Sequence, residues 1–296
     1  MMAKTFLKLL KLKKYILNYT NRVLFTSLLF LCFFSYAQVK VIYEVKYKPD
    51  STIEKYNIEE MTLEHFEDKS YFYNETKFKL DSIYDSVTTE YLKTGQIPKI
   101  SLKYELNFGI YKNLSKQELY EIQNVSSRNF FYKSDFEKLN WKITNEKKQI
   151  LKYSCTKAIV IFGGRIWEAW FSKDIPIPDG PYKFFGLPGL ILEIYDTGNN
   201  YHFSTVSVIK KSEKIKLPTS LIKTTQINYL KIKNKLIRDP SLFVRESIMR
   251  NNDVQIKATD GNPLQISELY QRIDKEFNYF IQTHNNHIEK NKIWIR

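Results

Sequence analysis

The chain has 296 residues and a formal net charge of +14 at pH 7, long enough for one large domain or one domain with an appendage, and basic enough to favour anionic surfaces such as lipid headgroups or acidic polysaccharide. It carries two cysteines, Cys32 and Cys155, so no disulfide framework is available and stability must come from an apolar core. There is no Gly-x-Ser-x-Gly elbow, HExxH, phosphate-binding glycine loop or paired CxxC, which excludes the reaction classes that announce themselves by those patterns.

The first 37 residues read as an export leader. Lys4, Lys8, Lys11, Lys13, Lys14 and Arg22 precede an apolar run from Val23 to Tyr36, and Ser35 and Ala37 are small residues at a cleavage site before Gln38. The leader takes six basic and no acidic residues with it, leaving 40 basic against 32 acidic, a charge of +8, on a mature chain of 259 residues. Cys155 is then the one remaining thiol and is expected to be a buried small apolar residue. Nucleic acid is not an expected partner after export, and no later segment is apolar enough to span a membrane.

In chain order, Val39, Val41, Tyr43, Val45 and Tyr47 alternate with polar residues and predict a half-buried strand. Met61 to Asn74 predicts a hairpin turning at Glu67-Asp68-Lys69. Asp81 caps an expected helix to Lys93 with Ile83, Val87 and Tyr91 on one side. Ile100 to Tyr111, Leu119 to Val125 and Arg128 to Lys133 read as meander strands, and Trp141-Lys142-Ile143 opens another before a charged turn at Asn145 to Lys148.

Tyr153 to Phe162 and Arg165 to Phe171 predict a hairpin closed by Gly163-Gly164, a dipeptide suited to a primed two-residue turn. That register sets Ala158 opposite Ala169, Val160 opposite Trp167 and Phe162 opposite Arg165. It also sets Lys157 opposite Trp170 and diagonal to Glu168, which predicts an ion pair with a cation–π contact rather than an acid–base couple. Between Ala169 and Phe185, Pro176, Pro178 and Pro181 forbid helix, and Gly180, Gly186 and Gly189 allow positive φ or close approach. Leu187-Pro188-Gly189-Leu190 predicts a type II turn that feeds a buried strand, Leu190 to Ile194. The stretch reads as a structural corner or as a surface recognition loop; its Gly-x-x-Gly spacing carries no basic residue to clamp nucleic acid. A second hairpin follows, Leu190 to Asp196 and Tyr201 to Val208, turning through Thr197 to Asn200 and placing His202 opposite Tyr195. Asp239-Pro240 predicts a helix start running to Met249, and Ser267 to about His287 a last helix with Leu269, Ile273, Phe277, Phe280 and Ile281 in one stripe. His284 and His287 are three apart but have no third partner, so no metal or other cofactor is expected.

The Gly-Leu-Pro-Gly-Leu-Ile run from Gly186 to Ile191, with the Ser-x-Phe arm at Ser70, the Cys-x-Lys-Ala at Cys155 and the Asn-His-Ile-Glu at Asn286, resembles the GLPGLI family of secreted bacterial proteins. The resemblance implies an exported envelope protein and brings no activity with it. In the last motif His287 stands where the family has Pro.

The expected fold is α+β: a large bent antiparallel sheet, a meander or partly open barrel, over about residues 39–217, with helices over about 221–290 packed on it. The expected organisation is a signal peptide, 1–37, and one domain, 38–296. The expected function is a non-enzymatic binding or assembly accessory of the cell envelope, periplasmic or outer-surface, with an envelope protein or a lipid or anionic surface as partner. One alternative is a carrier holding an apolar ligand against a concave sheet whose 21 Tyr and 20 Phe supply its walls. Another is a hydrolase using Asp174, Asp179 and Glu193.

Overall fold

A computed structural model describes residues 38–77, 105–125, 128–210, 214–218, 220–250 and 265–292. The expected leader and the expected helix at 81–93 lie outside the described residues. Among the described residues twelve strands form one sheet. The first six are β1 (Gln38–Tyr47), β2 (Asn57–Phe66), β3 (Lys69–Asn74), β4 (Phe108–Asn113), β5 (Glu118–Val125) and β6 (Arg128–Ser134). The rest are β7 (Lys142–Ile150), β8 (Tyr153–Phe162), β9 (Arg165–Ser172), β10 (Leu190–Asp196), β11 (Tyr201–Lys210) and β12 (Leu221–Lys223). Helices α1 (Gln226–Arg238), α2 (Leu242–Arg250) and α3 (Ile266–Thr283) follow. The fold is α+β, a large antiparallel sheet with a few helices.

The strand order is β12-β6-β5-β4-β3-β2-β1-β11-β10-β9-β8-β7, antiparallel throughout except where β12 joins β6. Two meanders therefore meet where β1 pairs with β11. This order forces curvature. Between β6 and β7 lie ten strand spacings, about 48 Å in a flat sheet, yet eight residue steps from Ser134 to Lys142 reach about 28 Å at most. The sheet must curl until its two outer regions approach each other. The linking segment turns its apolar side chains inward: Leu139 is buried, Phe136 meets Phe185, and the Trp141 indole N–H donates to the Phe185 carbonyl.

Alternation in β1 buries Val39, Val41, Tyr43, Val45 and Tyr47, the face the sequence selects. The interior is filled by residues 173–189, which leave the sheet at Ser172 and return at Leu190. Ile175, Ile177 and Asp179 point inward while Pro176 and Pro178 are exposed. Successive i to i+2 hydrogen bonds, Ile177 N to Ile175 O and Asp179 N to Ile177 O, hold this extended run. Tyr182 and Phe184 reach far enough to pack on Phe162.

The β8–β9 hairpin has the register read from the sequence, with Ala158 against Ala169, Val160 against Trp167 and Phe162 against Arg165. Gly163 and Gly164 both take positive φ, 58° and 75°, as a primed turn requires. Ala158 and Ala169 are wholly buried. Ala169→Leu is accordingly expected to overpack this point and to lower stability by about 1–3 kcal/mol, read as a shift in urea midpoint; an unchanged midpoint would mean the inner face has room there.

Four local expectations need correction. Residues 145–148 do not turn: β7 runs on to Ile150 with a register irregularity between Ile143 and Lys147, because at a sheet edge a lysine-rich strand is a protected strand. Gly189 does not sit in a type II turn. Its N–H donates to the Leu187 carbonyl at 2.8 Å, a three-residue turn about Pro188, and its φ is 158°. The sheet does not end near residue 217: β12, beyond Pro218, adds a strand at the opposite edge, parallel to β6. Finally, α2 opens at Leu242 rather than at Pro240, since the Leu242 N–H bonds back to the Asp239 carbonyl in a preceding turn.

Candidate functional site

The C-terminal segment 284–292 straps the rim of the curled sheet. Asn286 donates its side-chain amide to the Lys48 carbonyl and its backbone N–H to the Pro49 carbonyl, at the end of β1. Arg165, at the start of β9, donates to the carbonyls of His287 and Ile288 and to Asn286 Oδ1, and pairs with Asp196 at 3.1 Å. Tyr201 gives its hydroxyl proton to the Asn286 carbonyl. Lys290 N–H bonds to the Gly163 carbonyl, and a Cβ on Gly163 would stand 2.9–3.2 Å from Glu289 atoms. The glycine turn is thus also the seat of the strap.

That strap delivers Glu289 and Lys292 beside Glu121 on β5. Glu121 is 1% exposed and accepts from Lys183 at 2.6 Å, Lys292 at 3.0 Å, Tyr132 at 3.0 Å, Ser134 at 2.8 Å and Gln123 at 3.0 Å. Glu289 shares Lys183 (2.8 Å) and Lys292 (2.9 Å) and accepts from Tyr182. Burial pushes the Glu121 carboxyl up, but the Lys183 and Lys292 ammoniums outweigh it and hold the group well below the usual carboxylate range. Glu289 is lowered by the same opposition. Both are therefore ionised acceptors at neutral pH and not general acids.

Helix α1 forms the other wall. Thr225 caps it, its side chain accepting from Asn228 N–H, and the i, i+4 spacing of Tyr229 and Lys233 turns both toward β5 and β6. Tyr229 stacks on Tyr132 with centroids 4.6 Å apart. The resulting cleft encloses about 170 Å³ between Phe108, Glu121, Tyr182, Tyr229, Lys233 and the strap. Burial, with Lys292 close by, brings the Lys233 ammonium down to about 8. A second cleft on the far side of Glu289 and Lys292 is bordered by Asp135 and Glu137.

His287 sits in the strap rather than in a helix with His284, since α3 ends at Thr283. His284 stacks on Phe280 and faces Glu105 at 3.4 Å; the hydrogen bond from His284 is the first cause lowering Glu105 to about 2. Burial lowers His287 to about 4, with Lys233 and Arg165 adding to it. The sign follows: the unfolded imidazole binds a proton near 6.5 and the folded one does not until about 4, so His287 costs stability as pH falls through that window. His287→Gln is expected to flatten the fall in denaturation midpoint between pH 6.5 and 4; a profile as steep as wild type would show that His287 titrates as freely folded as unfolded.

The residues singled out by sequence fall elsewhere. Gly180, Pro181, Leu187 and Leu190 are buried in the interior plug, Leu187 at 1% exposure, while Gly186 and Pro188 are exposed where it turns back. Gly180 is pressed on Ile191. Lys157 pairs with Glu168 at 3.1 Å and lies over Trp170 at 6.0 Å. Cys155 is buried, and burial pushes its thiol up to about 11, unsuited to nucleophilic work. The three loop acids do not converge. Asp174 accepts from Ser154 N–H, Asp179 is sealed with Lys112 and His65, and Glu193 pairs with Lys148 and His202. Ser204, His202 and Glu193 form no relay either, because serine and carboxylate meet the same imidazole nitrogen, Nε2. Among the described residues no group of three or more His, Cys, Asp or Glu could hold a metal, and no helix is long and apolar enough to cross a membrane.

Sequence reasoning missed the cleft. Its signals were the Thr225 cap with apolar spacing at Tyr229, Ile232 and Leu236, and the Glu-x-x-Lys at Glu289 and Lys292; nothing local ties either to Glu121.

The N-glycanase peptide, N-terminal domain family model matches residues 75–234, more than half of the chain. Solved structures of PNGF-II in space groups P21 and C2 are 16% and 17% identical to it, each with a TM-score of 0.47. Each alignment covers 66% of this chain and 32% of the other, so the chain spans about a third of the PNGF-II length. No curated protein matches. The family match overturns the GLPGLI resemblance and, with it, the expectation of a non-enzymatic envelope accessory. The reason is physical: Gly186, Pro188 and Gly189 report how a loop turns back into a sheet, a local backbone need that does not identify a family. The chain belongs to the N-glycanase peptide, N-terminal domain family.

Proposed function

We propose that the chain acts in the removal of N-linked glycans from glycoproteins and engages the glycan in the cleft between α1 and β5. The observation that carries this reading is the family match over 75–234, which takes in Glu121, Tyr132, Lys183, Tyr229 and Lys233. The cleft's chemistry supports it. A space of about 170 Å³ suits a single sugar ring, Gln226, Asn234 and Asn291 on its border offer paired donors and acceptors to hydroxyls, and the ionised Glu289 at its edge offers a charged acceptor, while Glu121 holds Lys183 and Lys292 in place behind it. We place this work outside the cytoplasm, on the basic and apolar leader pattern of residues 1–37.

Incubating the purified chain with an N-glycosylated protein tests the reading by intact mass. The expected result is loss of the glycan mass from the substrate, slowed by Glu121→Gln. A glycoprotein whose mass is unchanged after prolonged incubation at stoichiometric amounts overturns it.

A further inference from the structure

On the outer face of the sheet, three neighbouring strands bring Lys46, His202 and Tyr195 into one row. Lys46 on β1 pairs with His202 on β11, and His202 with Tyr195 on β10; directly paired residues share a face. At the end of this row lies a cavity of about 320 Å³, bordered also by Tyr56 from the β1–β2 loop, whose hydroxyl donates at 3.1 Å to the Asn199 carbonyl in the β10–β11 turn. It shares no lining residue with the cleft between α1 and β5.

The walls are held from behind. The Tyr195 hydroxyl donates to Glu168 at 2.8 Å, and the Tyr195 and His202 rings meet at 75° with centroids 5.3 Å apart, forming a corner. The Lys46 ammonium rests on the Tyr56 ring, 4.3 Å from its centroid, a contact through charge that does not use up its three N–H donors. His202 Nε2 stands 2.8 Å from Glu193 Oε1. Burial pushes the Glu193 carboxyl up, but His202 and Lys148 outweigh it and lower the group. An ionised carboxylate only accepts, so Nε2 carries the proton and the neutral ring keeps Nδ1 as an acceptor, on a side chain that is 40% exposed. An aromatic face therefore stands beside a donor and an acceptor.

We infer that this corner is a second carbohydrate site, which binds a pyranose by laying the sugar's C–H face on Tyr195 and setting neighbouring hydroxyls between Lys46 and His202. Hydroxyls both donate and accept, as the row does, whereas a simple anion only accepts and would leave Nδ1 unmatched. An ammonium in the wall also repels a cationic guest. The site is a holding site built from its own residues, and it does not rest on the cleft reading.

The test is the imidazole nitrogen spectrum of the full chain, labelled at its four histidines and titrated with a free oligomannose N-glycan at about pH 8, above the ordinary imidazole range. His202→Gln assigns the signal. The His202 Nδ1 signal is expected to move saturably as it accepts a hydroxyl proton. Lys46→Met and Tyr195→Ser should each weaken that binding about tenfold, through loss of a charged hydrogen bond or of the ring face, with the buried His65 signal in place to show the fold intact. Undiminished affinity in either variant would overturn the assignment. A His202 signal that stays still would overturn the outer site, whereas the cleft reading is judged separately, by the His287 signal at the border of that cleft and by deglycosylation. Inorganic phosphate that moves His202 to the same end point would make the row an anion site and overturn the sugar.

Discussion

Gly189→Ala is expected to cost about 3 kcal/mol or more, an overpacking penalty at the upper end because backbone is what it meets. β10 begins one residue later, where Leu190 pairs with Ser172 at the end of β9, so the two chains are already at strand spacing. A Cβ on Gly189 would overlap the Ser172 carbonyl group, standing 2.6 Å from its carbon and 3.0 Å from Lys173 N. Neither can retreat without breaking the ladder that follows. Gly186→Ala is the comparison: its φ of 93° disfavours a side chain, yet nothing lies within 4 Å of the new Cβ. Conformational strain alone predicts about 1–2 kcal/mol there. Urea midpoints for the two variants should therefore differ clearly, and equal losses would mean that φ, not close approach, makes glycine necessary at 189.

The same neighbourhood shows what the sequence could and could not disclose. Local rules placed the Gly163-Gly164 turn, the β8–β9 register and the inward face of β1, because each follows from residues within one hairpin or one strand. The curl of the sheet was implicit in the short link between β6 and β7, but reading it needs the strand order, which no local pattern supplies. The same limit hid the cleft, whose Glu121 meets Lys183 and Lys292 from 62 and 171 residues away. α1 was legible in principle from Thr225 and the spacing of Tyr229 and Leu236. Its exposed Ile227 and Leu230 blurred the stripe. Asp179, the acid in the proline-rich loop, was read as a candidate for hydrolysis, whereas its partner Lys112 lies 67 residues earlier on β4.

That pair gives the second large effect. Lys112 and Asp179 are both fully buried; the Lys112 ammonium bonds to Asp179 Oδ1 and, at 2.7 Å, to the Gly180 carbonyl, and His65 Nδ1 stands 3.0 Å from Asp179 Oδ2. Lys112→Met is expected to lower stability by about 3–5 kcal/mol, because it removes the ammonium from a carboxylate in the interior and leaves it with one imidazole and the Gly180 N–H. Adding Asp179→Asn should recover part of that loss, since no charge is then left to desolvate. The pH dependence separates this from simple loss of packing. In the wild type, burial raises Asp179 but Lys112 and His65 outweigh it and hold the group below the ordinary range, so its contribution is present above the unfolded value of about 4 and is lost as pH falls below that. Without Lys112 the burial effect is left opposed only by His65 and the Gly180 N–H, the folded value rises, and the contribution becomes one that is present below about 4 and lost as pH increases. The stability gap between wild type and Lys112→Met should therefore widen from pH 4 to pH 6, with the double variant showing little of that slope. A gap that stays constant across the range would mean that Asp179 does not carry its charge in the folded interior.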